Sequence, residues 1–184
     1  MINLPSPALQ INFAFALKEV RERMLAEALQ QCVEELDLTL LDSQLHEYAD
    51  DISLKRVASL GLRGELLFAV PCILERRPSL LGYYRLLLGY SQKVFYTGES
   101  GVGKFKMMEE QDVISTRQNE CLPELCKALC ASATLLIQGL ADYMLDREFL
   151  DDLTLLTLGP QLRGGANVQR GTAAIIQVFE VIQE

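Results

Sequence analysis

Leu80-Leu81-Gly82-Tyr83-Tyr84-Arg85-Leu86-Leu87-Leu88-Gly89-Tyr90 is apolar on nearly every face when wound as a helix. At about 100° per residue it leaves no polar stripe for solvent, so it belongs inside the molecule. Pro78 and Ser79 stand where a helix is opened and capped. Arg85, the single charge, then requires a buried carboxylate or backbone carbonyl, because an unpaired buried charge is strongly destabilising.

A buried central helix needs others around it, and the flanking sequence supplies them. From Pro5 to Leu36, apolar residues step by three and four (Leu9, Phe13, Leu17, Val20, Met24, Ala28), which predicts one long amphipathic helix. Gln44–Ala49 reads as a short helix started by Asp42 or Ser43, and Leu54–Leu60 as another that ends at Gly61. Gly64–Leu74 contains Pro71 and reads as a loop or an edge strand. Thr97–Gly103 is a glycine-rich loop, and Phe105–Gln111 resumes as a short helix. Leu122–Leu145 is a long helix with Pro123 in its first turn, and Asp146 caps the next, which stops near Gly159-Pro160. Gln161–Gly171 is an ordered loop, and Thr172 caps a last helix through Ile182 whose missing C-cap suggests a domain that continues. The expected fold is mainly α: a single helical domain over residues 1–184, with about six helices, a glycine-rich middle loop and little or no sheet.

The chain has 184 residues, 49% of them hydrophobic and 23% charged, which suits a folded domain and argues against disorder. No apolar run reaches the roughly 18 residues of a membrane span, and Met1-Ile-Asn-Leu-Pro5 lacks a basic signal region. A cytoplasmic, membrane-free protein is expected. The net charge of −8 argues against a free-standing DNA-binding domain, but it is unevenly distributed. Ile52–Lys106 holds nine basic residues and three acids, a net +6, which leaves −14 for the rest. Seven of the 13 aromatics also fall there. Basic residues interleaved with aromatics are the composition of a nucleic-acid surface, or else of a core with solvated arginines.

Cysteines and the single histidine carry little chemistry. Cys126 and Cys130 share a helical face, Cys121 does not, and His46 has no companion, so a four-ligand zinc site is disfavoured and buried thiols are expected. Gly98-Glu-Ser-Gly-Val-Gly-Lys104-Phe105 matches a phosphate-binding loop except at its last position. That position needs a Ser or Thr hydroxyl for Mg²⁺, and Phe105 has none. A metal-dependent nuclease site needs an acid two residues before a lysine, on a strand. The residues two before each lysine are Ala16, Ser53, Ser91, Val102, Lys104 and Leu125, so no such site is visible and the catalytic residues stay unassigned.

Several ordered blocks resemble the N-terminal portion of the XcyI-type family of type II restriction endonucleases. They are Gly61-Leu-Arg-Gly-Glu65, Val70-Pro71, Pro78–Lys93, Phe95-Tyr96, Gly103–Glu110, Leu122–Cys126, and Phe149–Leu155 leading into Gly159–Gly171. The resemblance implies site-specific cleavage of double-stranded DNA by a Mg²⁺-dependent enzyme, usually a homodimer. It also implies a longer protein whose acid-and-lysine motif lies beyond Glu184, so that this chain alone binds no metal. This region would contribute recognition or dimerisation; a non-catalytic helical scaffold is the rival. The candidate DNA contacts are Arg56, Arg63, Arg76, Arg77, Lys93, Lys104 and Lys106. Their convergence on one surface would favour DNA; their pairing with acids would favour a scaffold.

Because Phe105 offers no Mg²⁺ ligand, no nucleotide partner is expected. Calorimetric titration with Mg²⁺–ATP should show no binding; low-micromolar binding would overturn the reading of the Gly98–Lys104 loop.

Overall fold

The computed structural model describes residues 11, 14, 15, 17, 18, 20, 25–97, 101–140 and 145–161. Ten α-helices can be delimited among them: α1 (Ala26–Glu34), α2 (Leu38–Tyr48), α3 (Asp51–Ser59), α4 (Pro71–Arg76), α5 (Leu81–Leu87), α6 (Gln92–Thr97), α7 (Lys106–Gln111), α8 (Thr116–Glu120), α9 (Leu122–Gly139) and α10 (147–161). Short 3₁₀ turns cover Gly64–Leu66, Pro78–Leu80 and Val102–Phe105, and no described residue is in a strand. The mainly helical expectation therefore holds, but the helices are more numerous and shorter than the six expected.

Caps explain the difference. The long helix expected over 5–36 is interrupted at Leu25, which is extended and leads into α1. Asp37 accepts from the Thr39 N–H at 2.9 Å and starts α2 within the stretch that sequence pattern left untyped. Asp50 accepts from the Ser53 N–H at 2.8 Å and starts α3 two residues after α2 ends. Gly61 ends this region with φ +76°, as expected of a residue just past a helix. Pro71 belongs to no strand: it opens α4, where its missing N–H costs nothing. Ser79 makes no side-chain cap; its N–H donates to Asp112 Oδ1 at 2.7 Å. Lys93–Thr97, whose β-branched and aromatic residues could also form a short strand, is helix α6. α9 stops at Gly139, short of Leu145. Asp146 does cap α10, accepting from the Phe149 N–H at 2.8 Å. α10 passes through Pro160 to 161, since proline adopts helical φ and the Gln161 side chain donates to the Thr157 carbonyl at 3.1 Å. Residues 98–100 of the glycine-rich loop, the 161–171 loop past Gln161 and the Thr172–Ile182 helix lie outside the described residues.

All seven residues of α5 are buried, as its uniform apolarity requires. One continuous core surrounds it. α4 packs against α1 and α2, α9 lies across α2, α3 and α4, and α7 seats on α5 and the Pro78–Leu80 turn. Tyr83 and Tyr84 donate their hydroxyls to the Leu66 and Glu65 carbonyls at 2.8 Å each, tying α5 to the first 3₁₀ turn. α10 adds Leu150 to this core and sets Leu158 against Leu25 and Leu86 in a second cluster. Among the described residues no helix is long and apolar enough to cross a membrane.

Gly103 lies so close to α6 that a Cβ would sit 2.8 Å from the Tyr96 carbonyl oxygen, whereas a Cβ on helical Gly159 would meet nothing within 4 Å. Gly103→Ala should therefore cost about 1–3 kcal/mol in urea unfolding. Gly159→Ala should raise stability by about 0.5–1 kcal/mol.

Candidate nucleic-acid surface and its buried anchor

Glu109, three residues past the basic segment, is the partner of its buried arginine. It sits on α7, is 1% exposed, and faces Arg85 of α5, also 1% exposed. Arg85 Nε donates to Glu109 Oε2 at 2.8 Å and Nη2 to Oε1 at 2.7 Å, a two-pronged pair. Arg85 Nη1 donates to the Tyr90 carbonyl at 2.5 Å. α6 supplies two more donors: the Tyr96 hydroxyl at 2.6 Å from Oε2 and Gln92 Nε2 at 3.0 Å from Oε1. The expected buried partner of Arg85 is thus a carboxylate and a carbonyl together.

Burial alone would raise the Glu109 pKa. The Arg85 hydrogen bonds and charge, with those of Tyr96 and Gln92, outweigh it and hold the carboxyl below its usual range. Burial, then the Glu109 charge, pushes the Tyr96 hydroxyl in the other direction, so it remains a donor.

The seven candidate cations divide by what they touch. Arg56 donates from Nη1 to the Ile137 carbonyl and from Nη2 to the Leu140 carbonyl, 2.6 Å each, closing the C-terminal end of α9. Arg63 pairs with buried Glu65 at 2.5 Å. Arg76 pairs with Glu35 of the segment after α1. Arg77 donates to the Ala28 carbonyl at 3.3 Å. Lys106 pairs with Glu110 one turn on, at 3.2 Å. Lys93 and Lys104 are exposed, with the Lys104 ammonium 5.1 Å from the Phe105 ring centre. Lys93 thus lies on α6, Lys106 on α7 and Lys104 in the turn between them, while Arg56, Arg76 and Arg77 are employed between helices.

The pattern that placed these cations left out Arg117. It lies on α8, whose start is a capping box: Ser115 Oγ accepts from the Gln118 N–H, and the Gln118 side chain receives the Ser115 N–H at 2.7 Å. The Ser115-Thr-Arg-Gln118 spacing carries that signal in the sequence. Gln118 Nε2 also donates to the Lys104 carbonyl at 2.5 Å, which brings α8 beside the Val102–Phe105 turn.

Other readings find their places. Cys32, Cys72, Cys126 and Cys130 are buried free thiols, while Cys121 is half-buried. Burial pushes Cys72 up to about 11 and Cys130 up to about 12. His46 is exposed, with Nδ1 3.1 Å from Asp51 Oδ1. Phe105 is buried, and a helix precedes the Gly98–Lys104 loop where nucleotide binding calls for a strand. Among the described residues no three or more His, Cys, Asp or Glu residues gather to hold a metal, so no catalytic step through Mg²⁺ can be derived from them.

The proteins to which this chain is similar are restriction enzymes. A family model described as XcyI restriction endonuclease matches residues 14–184, and the chain belongs to that family. It is 54% identical over 185 aligned residues to the type II restriction enzyme XcyI of Xanthomonas campestris pv. cyanopsidis. It is 51% identical over the same length to the type II restriction enzyme Cfr9I of Citrobacter freundii. All of this chain is covered in both cases, but it spans only 56% of the length of each relative. No solved structure matches it.

The depressed Glu109 pKa fixes a pH dependence. Its stabilisation is complete above the unfolded carboxyl pKa, about 4.3, and is lost as pH falls through the lower folded value. Glu109→Gln should remove that acid-side loss. It should also cost about 3–5 kcal/mol at pH 7, because it leaves Arg85 buried against a neutral amide. Urea unfolding between pH 2 and 7 checks both.

Proposed function

We propose that this chain is part of a type II restriction endonuclease that recognises and cleaves a specific double-stranded DNA sequence, and that this region contributes recognition or dimerisation. Membership of the XcyI restriction endonuclease family carries the reading. The +6 charge of Ile52–Lys106 supports it, since cations displace phosphate counterions. The chemistry is hydrolysis of a phosphodiester, for which the family resemblance implies Mg²⁺. The acids that would hold the metal are not assigned to any described residue.

The pairing of Arg63, Arg76 and Lys106 with acids favours the second reading for those three residues: Arg76 ties α4 to the end of α1, while Arg63 and Lys106 are held by acids within their own turns. The two readings differ in whether a surface of this region meets DNA or another protein surface.

Mixed with duplex DNA at about 50 mM salt, the chain should bind, and binding should fall steeply by about 200 mM. With Mg²⁺ it should leave supercoiled plasmid intact. Absence of binding at low salt would remove DNA as a partner of this region and favour the interface reading. Plasmid nicking that disappears in Glu110→Ala would instead place a metal site within the chain.

A further inference from the structure

Among its described residues, the segment from α6 to α8 is pinned from beneath at several points. Glu109 draws α6 to α5 through Tyr96, Gln92 and Arg85. Gly103 lies against the Tyr96 carbonyl, and Phe105 is buried. Gln118 holds the Lys104 carbonyl. Long cationic side chains project from backbone that is fixed in place.

Most acids of this segment are already engaged; the exception among its described residues is Glu120, exposed at the end of α8. Glu109 is neutralised by Arg85 and Glu110 is paired with Lys106. Asp112 Oδ1 accepts the Ser79 N–H. Glu99 lies outside the described residues. Lys93, Lys104 and Arg117 are exposed, and none of them forms an ion pair with any other described residue. The remaining candidates are occupied: Arg56 and Arg77 hold carbonyls, and Arg63, Arg76 and Lys106 hold carboxylates.

We propose that Lys104 and Arg117, with Lys93 beside them, make this region's contact with the phosphate backbone of duplex DNA. This rests on the DNA reading above and specifies which surface serves it. The Gln118–Lys104 bond brings the backbone at 104 beside α8, the helix that carries Arg117. The chemistry is positional. An ammonium and a guanidinium neutralise phosphates and orient the duplex, and they read no base from there. Of the two, Arg117 brings the planar fork that can engage two phosphate oxygens at once.

The test is the salt dependence of duplex binding by the full chain, followed by fluorescence anisotropy. Each phosphate contact contributes a slope of about 0.9 in log K against log salt. Lys104→Ala with Arg117→Ala should flatten the wild-type slope by about two units, with Lys93→Ala removing up to one more. Lys55→Ala, an exposed lysine of the same basic segment on α3, should leave it unchanged. Circular dichroism should report wild-type helicity throughout, because all four side chains lie on the surface. An unchanged slope in the double variant, with the wild type still binding, overturns this assignment and leaves the DNA reading standing. Absence of salt-dependent binding by the wild type overturns the DNA reading itself. An equal loss in Lys55→Ala would show a diffuse field rather than this surface and also overturns the assignment.

Discussion

A buried carboxylate with four donors holds the middle of this molecule. Glu109 is taken out of water at a cost of several kcal/mol, and only a full set of partners offsets that. Arg85 gives two hydrogen bonds, Tyr96 one and Gln92 one. These donors come from α5 and α6 and the acceptor from α7, so three short helices are fixed by one group. None of them exceeds seven residues, and helices that short are marginal alone. Their persistence depends on this network and on the apolar surface around it. No buried side-chain nitrogen or oxygen among the described residues lacks a partner, so the arrangement leaves no polar penalty outstanding.

The same economy governs the arginines. A guanidinium can satisfy several carbonyls at a helix end or one carboxylate between helices, and in a fold built of many short helices such ends are abundant. Arg56 closes α9, Arg77 reaches the Ala28 carbonyl of α1, and Arg76 ties α4 to Glu35. The positive segment is therefore partly internal wiring. Its net +6 overstates what is offered to a phosphate, because charges consumed in the fold attract ligands only weakly.

What the sequence made legible follows from this division. Uniform apolarity over Leu80–Leu88 was sufficient to bury α5 and to demand a partner for Arg85, because periodicity and desolvation are local properties. The partner's identity was not legible, since Glu109 lies 24 residues away and reaches Arg85 only through tertiary packing. Lys93–Thr97 was open between strand and helix because β-branched and aromatic residues favour strands only weakly, and in the helix it forms Tyr96 reaches Glu109. The Pro5–Leu36 periodicity was real at Ala26–Glu34 but gave no sign of the break at Leu25, which is extended without a Gly or Pro. Asp37 and Asp50 were readable as caps, and so was the Ser115–Gln118 box that leads to Arg117.

The proposed phosphate contacts and the core are thus separated by burial more than by position along the chain. Lys104 and Phe105 are adjacent: one side chain is exposed and the other lies in the core. Lys106, two residues from Lys104, is paired with Glu110. Alternation of this kind requires a backbone that does not rotate, or the exposed cation would exchange places with its buried neighbour. Gly103 allows the turn to approach Tyr96, and Tyr96 in turn is held by Glu109. The buried ion pair consequently determines which basic residues of this segment face outward, even though Arg85 itself never reaches the surface.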